Sequence, residues 1–205
     1  MKELFENLEQ KLRAIDAPVL QLFNDPLGDE RDLIEFIKLN YGIKAVVPPD
    51  LLEVYNWHNG TNYEAVGEMD YRRGCFADEV CLEKLPEIEN EIHGKGGYDF
   101  IEKMLFPFCA SLDGEYLAVP LNGDNCLVYC SASDYEIPPY ITKYDSIYCF
   151  FETMIESFEQ DCFELDDREV LVLNFDKYDT YMEIGERMNP KSDYWRVKRE
   201  FQESN

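Results

Sequence analysis

The chain has 205 residues, of which 45% are hydrophobic and 14% are aromatic, so its composition is that of an ordered globular protein with a sizeable core. Its 19 Lys and Arg residues against 43 Asp and Glu residues give a net charge of −24. A field of this sign repels phosphate backbones and anionic membrane surfaces, which disfavours direct binding to nucleic acid or membranes. The charge therefore has two interpretations, attraction of a basic protein partner or simple solubility.

Two amphipathic helices are predicted at the start of the chain. ELFENLEQKLRAID and DERDLIEFIKLNYG each carry apolar residues three or four positions apart, and the second pattern stops at Gly42. A short extended piece, IKAVV, is expected to follow. These elements form the N-terminal part of the predicted domain.

The segment VPPDLLEVYNWHNG, residues 47–60, predicts a short helix that begins after two prolines. An Asn-Gly pair is typical of a helix end, because both residues tolerate the left-handed conformation. We expect His58 to lie beside this end, where the helix dipole favours its positive form. The residues assigned to structure, as the entry proline, core anchors and helix stop, are Pro48, Leu51, Tyr55, Trp57, Asn59 and Gly60.

The middle of the chain predicts an antiparallel meander. Residues 63–100 are interpreted as strands with an excursion loop, and LFPFCASLDGEYLAVPLNGDNCLVYCS then shows three apolar runs. Asp113-Gly114 and Asn122-Gly123 separate these runs, and both pairs are strong hairpin signals, with Gly114 as a structural position. Apolar residues on both faces of the central run predict cover on both sides of the sheet.

A helix that Asp145 or Ser146 caps is expected to pack on this meander. REVLVLNF then predicts a further strand, and DKYDTYMEIGERMNP predicts a final helix. Because no linker, repeat or low-complexity segment interrupts the chain, we expect one α+β domain over residues 1–205. It consists of a mainly antiparallel sheet flanked by helices, with a C-terminal helical extension.

The seven cysteines are irregularly spaced, and no leader-like segment precedes them. We therefore expect reduced cysteines in a cytoplasmic protein. Cys126 and Cys130 form a close pair without a second pair at matching spacing, which argues against zinc. The sequence predicts no metal and no cofactor, and no apolar run is long enough to cross a membrane.

The residues also argue against an enzyme. GKGG, residues 94–97, lacks the spacing of a phosphate-binding loop, and no nucleophile has an evident base beside it. The enzyme alternative is a cleft lined by His58, Tyr63 and the carboxylates of Glu64, Glu68 and Asp70. We expect a binding protein instead, because nothing in the pattern orients these groups for a reaction.

Three motifs taken in order resemble the SMI1/KNR4, or SUKH, superfamily. They are PPDLLEVYNWHNG, FPFCASLDGEYLAVPL and the helical segment YCFFETMIESFEQ. The residues that match the first motif are Pro48, Leu51, Tyr55, Asn59 and Gly60. Those that match the second are Phe106, Pro107, Asp113, Gly114, Tyr116 and Leu117. The resemblance covers residues 29–159.

The resemblance implies an α+β fold, and for bacterial members it implies an immunity protein that binds and blocks a polymorphic toxin, often a nuclease. Eukaryotic members are regulators of cell-wall synthesis, so a regulatory or scaffold protein without a toxin partner is the alternative. Fold alone does not decide between them. A nuclease carries a basic surface for its substrate, which the acidic charge of this chain complements.

We therefore predict a monomer that binds a basic partner through carboxylates gathered on one face, with exposed tyrosines as anchors. The expected partner-binding residues lie in and beside the sheet-forming middle of the chain. They are Glu64, Glu68, Asp70, Asp78, Glu79, Asp113, Glu115 and Asp124, with Tyr63 and Tyr71 as the anchors.

Overall fold

A computed structural model describes residues 1–66, 71–76, 80–94, 99–111, 114–131 and 137–203, and for Val66, Tyr71 and Glu203 it describes the backbone alone. The described residues form an α+β fold, which confirms the predicted class. The helices are α1 (Lys2–Ala14), α2 (Glu30–Tyr41), α3 (Pro49–Trp57), α4 (Tyr63–Val66), α5 (Leu85–His93), α6 (Ile147–Glu159), α7 (Tyr178–Met188) and α8 (Asp193–Glu203). The strands are β1 (Cys81–Leu82), β2 (Leu105–Ala110), β3 (Tyr116–Pro120), β4 (Leu127–Cys130), β5 (Tyr140–Tyr144), β6 (Phe163–Leu165) and β7 (Leu171–Leu173).

Strands β1 to β5 form an antiparallel sheet in chain order, which confirms the predicted meander. Tyr116 pairs with Ala110 on one side and with Cys130 on the other. All five residues of β3 are buried, so both faces of the sheet are covered, as the apolar pattern predicts. Gly114 has a φ of +77° in the first hairpin connection. Strands β6 and β7 pair with each other in a separate antiparallel hairpin.

Helices α1 and α3 pack against helix α6. Ser146 caps it, because its hydroxyl accepts a hydrogen bond from the backbone N–H of Cys149 at 2.9 Å. Phe151 of α6 contacts Phe5 of α1 and Trp57 of α3, with ring centroids 5.0 and 5.8 Å apart. This aromatic contact places α1 and α3 side by side.

The segment of residues 47–60 forms the predicted helix, but the helix ends earlier than expected. Pro49 is its first residue and Trp57 its last, and His58 leaves the helix with extended backbone. Gly60 has a φ of +79°, yet it lies beyond the helix, so the Asn-Gly pair does not form the helix stop. The chain turns there to run beside Glu83 and Lys84, and Thr61 N donates to Leu82 O at 2.8 Å.

Residues 63–100 differ from the expectation of strands. The described part contains α4, a short 3-10 turn at Tyr71–Gly74, the two-residue strand β1 and helix α5. Helix α5 has a helical apolar period, with Ile88 and Ile92 buried one turn apart. The expected extended piece at residues 43–47 does not form a strand. Of the GKGG segment at residues 94–97, Gly94 follows helix α5, and residues 95–97 lie outside the described residues.

Two further expectations are wrong. A disulfide joins Cys75 to Cys81, so these two cysteines are not reduced in the structure, whereas Cys109, Cys126, Cys130, Cys149 and Cys162 are free. The chain also continues beyond the expected final helix α7 into α8, whose Trp195 is 1% exposed. Among the helices described, none combines the length and the apolar character that crossing a membrane requires.

Candidate functional site

Helices α1 and α3 enclose a groove of about 400 Å³. We call it the α1–α3 groove. Its lining combines three carboxylates with two aromatic side chains. The lining residues are Lys2, Phe5, Glu6 and Glu9 from α1, and Glu53, Asn56 and Trp57 from α3. Three carboxylates against one lysine give this lining a net negative charge.

Helix periodicity explains why these side chains gather. Helix α1 buries Phe5, Leu8 and Leu12 against the core, and its neighbouring face carries charged residues three or four positions apart. Helix α3 buries Leu51, Val54 and Tyr55, which leaves Glu53 and Trp57 on the side that meets α1. The two polar faces border each other because both helices pack on α6.

The aromatic part of the groove is the stacked pair of Phe5 and Trp57. Their ring centroids are 4.7 Å apart and their planes differ by 3°. Trp57 is half-buried, and its ring packs against the buried core through Phe5 and Phe151. Its indole Nε1 donates to Glu9 Oε1 at 2.8 Å. A half-buried indole that a carboxylate holds in place suits contact with a cation or an apolar chain.

His58 lies behind this wall, where burial favours its neutral form. Burial lowers its pKa, although Asn24 and Glu9 act in the opposite direction. Its Nδ1 is 3.1 Å from the backbone oxygen of Asn24, so this nitrogen donates, and its ring stacks on Phe23. The expectation that the helix dipole favours a positive His58 is therefore wrong, because burial dominates and the residue is no longer helical.

His58 and Tyr63, which the enzyme alternative places in one cleft, contact different residues. Tyr63 OH donates to Glu83 Oε1 at 2.8 Å, whereas His58 contacts Asn24 and Glu9. Tyr63 is half-buried rather than exposed, unlike the anchor that the sequence predicts. Glu68 and Asp70, the other carboxylates of that alternative, lie outside the described residues.

The described carboxylates among the predicted partner-binding residues do not form one cluster. Glu115 precedes β3 and Asp124 follows it, so they lie at opposite ends of a buried strand, and Glu64 is exposed on α4. Asp124 instead accepts from the side-chain amide of Asn122 at 2.9 Å in the turn. Residues Asp78, Glu79 and Asp113 lie outside the described residues, as does the side chain of Tyr71.

A second concavity, of about 420 Å³, lies between the sheet and the C-terminal helices, and tyrosines dominate its wall. Glu115 lines it, together with Tyr129, Tyr194 and other aromatic residues. Lys143, which is 7% exposed, holds its Nζ 4.5 Å from the centre of the Tyr194 ring and 5.0 Å from that of Tyr129. These cation–π contacts link β5 to α8, which indicates a structural role for the lysine.

Among the residues that the structure describes, no group of three or more His, Cys, Asp or Glu side chains is arranged to hold a metal ion. Comparisons with protein-family models and with curated protein sequences found no match to this chain.

Sequence reasoning missed the carboxylates of the α1–α3 groove. The available signal was the charged stripe of Lys2, Glu6 and Glu9 on α1, which has helical spacing. The sequence does not reveal which residues lie opposite that stripe, because Glu9 and its contact Trp57 are 48 residues apart. Their contact depends on how two helices pack on a third.

Proposed function

We propose that this chain is an acidic binding protein of the cytoplasm that recognises and neutralises a basic protein, and that the partner is a nuclease-type toxin. The proposal assigns no catalytic step to the chain. The observation that carries it is the α1–α3 groove, in which carboxylates from two helices surround an aromatic lining. Such a groove is complementary to the cationic, long-stemmed side chains of a basic protein surface.

The charge of the whole chain supports this proposal. A net charge of −24 attracts a basic protein from a distance and steers its approach. The groove then offers a short-range site where a cation can meet both carboxylates and an aromatic surface. Solubility alone requires no such groove, so the groove supports the proposal of a binding role.

The choice of a toxin depends on the sequence resemblance to the SMI1/KNR4 superfamily. A nuclease presents a basic surface to its substrate, so an acidic protein that covers this surface blocks the activity. In the regulatory alternative, the same groove would bind an endogenous basic partner. The two functions differ in whether binding abolishes a harmful activity.

The experiment is co-expression with the product of the gene beside that of this chain, because a toxin gene at that position would distinguish immunity from regulation. We expect the neighbouring protein to be toxic alone, and co-expression of this chain to restore growth and yield a stable complex. A Glu53→Lys variant, which reverses one groove charge, should protect less well. A complex that forms without any toxic activity would support the regulatory alternative, and the absence of both complex and protection would refute the proposal.

A further inference from the structure

The carboxylates of the α1–α3 groove differ in how fully they are already engaged. Both oxygens of Glu9 accept strong hydrogen bonds, one from Trp57 Nε1 at 2.8 Å and the other from Arg13 at 2.5 Å. Glu9 therefore fixes the indole and has little capacity for an incoming donor. It is a positioning residue of the groove.

Glu6 and Glu53 retain capacity for further hydrogen bonds. Among the described residues, the cation nearest to Glu6 is Lys2 Nζ, and the one nearest to Glu53 is the amino group of Met1, each at 3.7 Å. Both distances exceed that of a hydrogen bond. The two side chains are 59% and 51% exposed, so an approaching molecule can reach them.

We infer that the α1–α3 groove holds one arginine side chain of the basic partner. Its guanidinium pairs with Glu6 and Glu53, and its aliphatic stem lies along the half-buried ring of Trp57. The inference rests on the proposed function and names the group that the groove selects. The guanidinium takes the place of Lys2 and of the Met1 amino group beside these carboxylates. Its hydrogen bonds to them join opposite charges and are therefore stronger than hydrogen bonds between neutral groups.

Arginine fits this groove better than lysine for three physical reasons. Its five N–H donors are fixed in a plane, so one guanidinium can serve carboxylates on two walls. The same plane packs against aromatic rings, and a guanidinium is more weakly hydrated than an ammonium group, so it loses less on entering a groove. A volume of about 400 Å³ accommodates the whole side chain.

The test uses the two tryptophans as local reporters in nuclear magnetic resonance spectra of the full chain. Trp57 lies in the groove, whereas Trp195 is 1% exposed and its Nε1 donates to the backbone oxygen of Lys143 at 2.7 Å. The probes are octa-arginine and octa-lysine peptides of equal charge. We expect octa-arginine to shift the indole N–H signal of Trp57 until saturation and to leave that of Trp195 unchanged. Octa-lysine should bind at least threefold more weakly.

Two double variants with the same change of net charge locate the site. Glu6→Gln with Glu53→Gln alters the groove, and Glu35→Gln with Glu89→Gln alters exposed positions on α2 and α5. The groove variant should bind octa-arginine at least tenfold more weakly and lose the Trp57 shift. The control variant should lose less than twofold.

The outcomes separate this inference from the proposed function. Binding of octa-arginine that leaves Trp57 unshifted, or that weakens equally in both double variants, overturns the groove assignment and leaves a basic partner on another surface. Equal affinity for both peptides overturns the selection of arginine. If octa-arginine binds neither the wild type nor the variants, the inference fails, and the affinity for basic chains on which the proposed function depends fails with it.

Discussion

At the scale of single residues, Gly60 occupies a position that a larger residue resists for two separate reasons. Its φ of +79° is unfavourable for side chains, and a Cβ there would lie 2.3 Å from the backbone nitrogen of Lys84. Gly28 has a similar φ of +77° with no atom within 4 Å of the equivalent Cβ. Comparing the two positions separates conformational strain from steric overlap.

We predict that Gly28→Ala lowers the free energy of unfolding by about 1 kcal/mol, since only the backbone conformation is strained. Gly60→Ala should lower it by at least about 2 kcal/mol, because backbone atoms must also move. Urea denaturation of both variants measures the difference. Equal losses of unfolding free energy in the two variants would show that the backbone at Lys84 moves aside without destabilising the fold.

Glu83 is a buried carboxyl group whose ionised form is unfavourable in the folded protein. It is 6% exposed, and burial, with Glu87 and Glu91 nearby, raises its pKa to about 7, although the hydrogen bond from Tyr63 acts in the opposite direction. The usual value is 4.5, so the folded protein binds a proton over a range in which the unfolded chain does not. The protonated carboxyl group of Glu83 therefore contributes to the stability of the folded state. This contribution is complete below about pH 4.5 and is lost as the pH rises through 7.

We predict that the stability of the wild type relative to Glu83→Gln falls by about 2 kcal/mol between pH 5 and pH 8, because glutamine stays neutral throughout. Tyr63 can still donate to the amide oxygen of glutamine, so the hydrogen bond is kept. Denaturation at a series of pH values measures the difference between the two proteins. A difference that is independent of pH would mean that Glu83 titrates as an exposed carboxyl group does.

At the scale of elements, local signals predicted the three strands β2 to β4 and helix α6, but not strand β5. The pairs Asp113-Gly114 and Asn122-Gly123 separate apolar runs that form neighbouring strands, because a tight turn and a period of two residues act within a short segment. Ser146 and the apolar stripe behind it predicted α6 in the same way. These features depend on sequence neighbours alone.

Helix α8 and the α1–α3 groove depend on distant contacts, and the sequence did not predict them. Helix α8 is mostly charged, and what anchors it is Trp195, which packs against Gly185 of α7 and donates to Lys143 O of β5. A Cβ at Gly185 would lie 2.4 Å from the indole, so the absence of a side chain makes room for it. Such pairings become visible only when the packing is known.

The disulfide between Cys75 and Cys81 connects the 3-10 turn at Tyr71–Gly74 to β1. A bridge across so short a loop removes little freedom from the unfolded chain, and the loop-entropy estimate is about 2 kcal/mol. We predict that the Cys75→Ser, Cys81→Ser double variant loses about this much stability and still folds. A reducing agent should have the same effect on the wild type and no further effect on the variant, and a reductant that unfolds the wild type entirely would contradict this.

At the scale of the whole molecule, the charge of −24 and the α1–α3 groove act over different distances. The overall field acts before contact and governs the rate of association, whereas groove contacts form only in the complex and govern the rate of dissociation. Salt weakens the long-range attraction more than the groove contacts, because it screens charges that are far apart in solvent.

We predict that the association rate with the basic partner falls at least tenfold as the ionic strength rises from about 10 mM to about 150 mM, because the screening length shrinks from about 30 Å to about 8 Å. The double variant Glu6→Gln with Glu53→Gln should mainly raise the dissociation rate. It removes only two of the many acidic charges, but these are the two groove carboxylates with capacity for further hydrogen bonds. Stopped-flow mixing with the neighbouring gene product measures both rates. An association rate that does not respond to salt would leave solubility as the only role of the acidic excess, and an unchanged dissociation rate in the double variant would place the contact away from the groove.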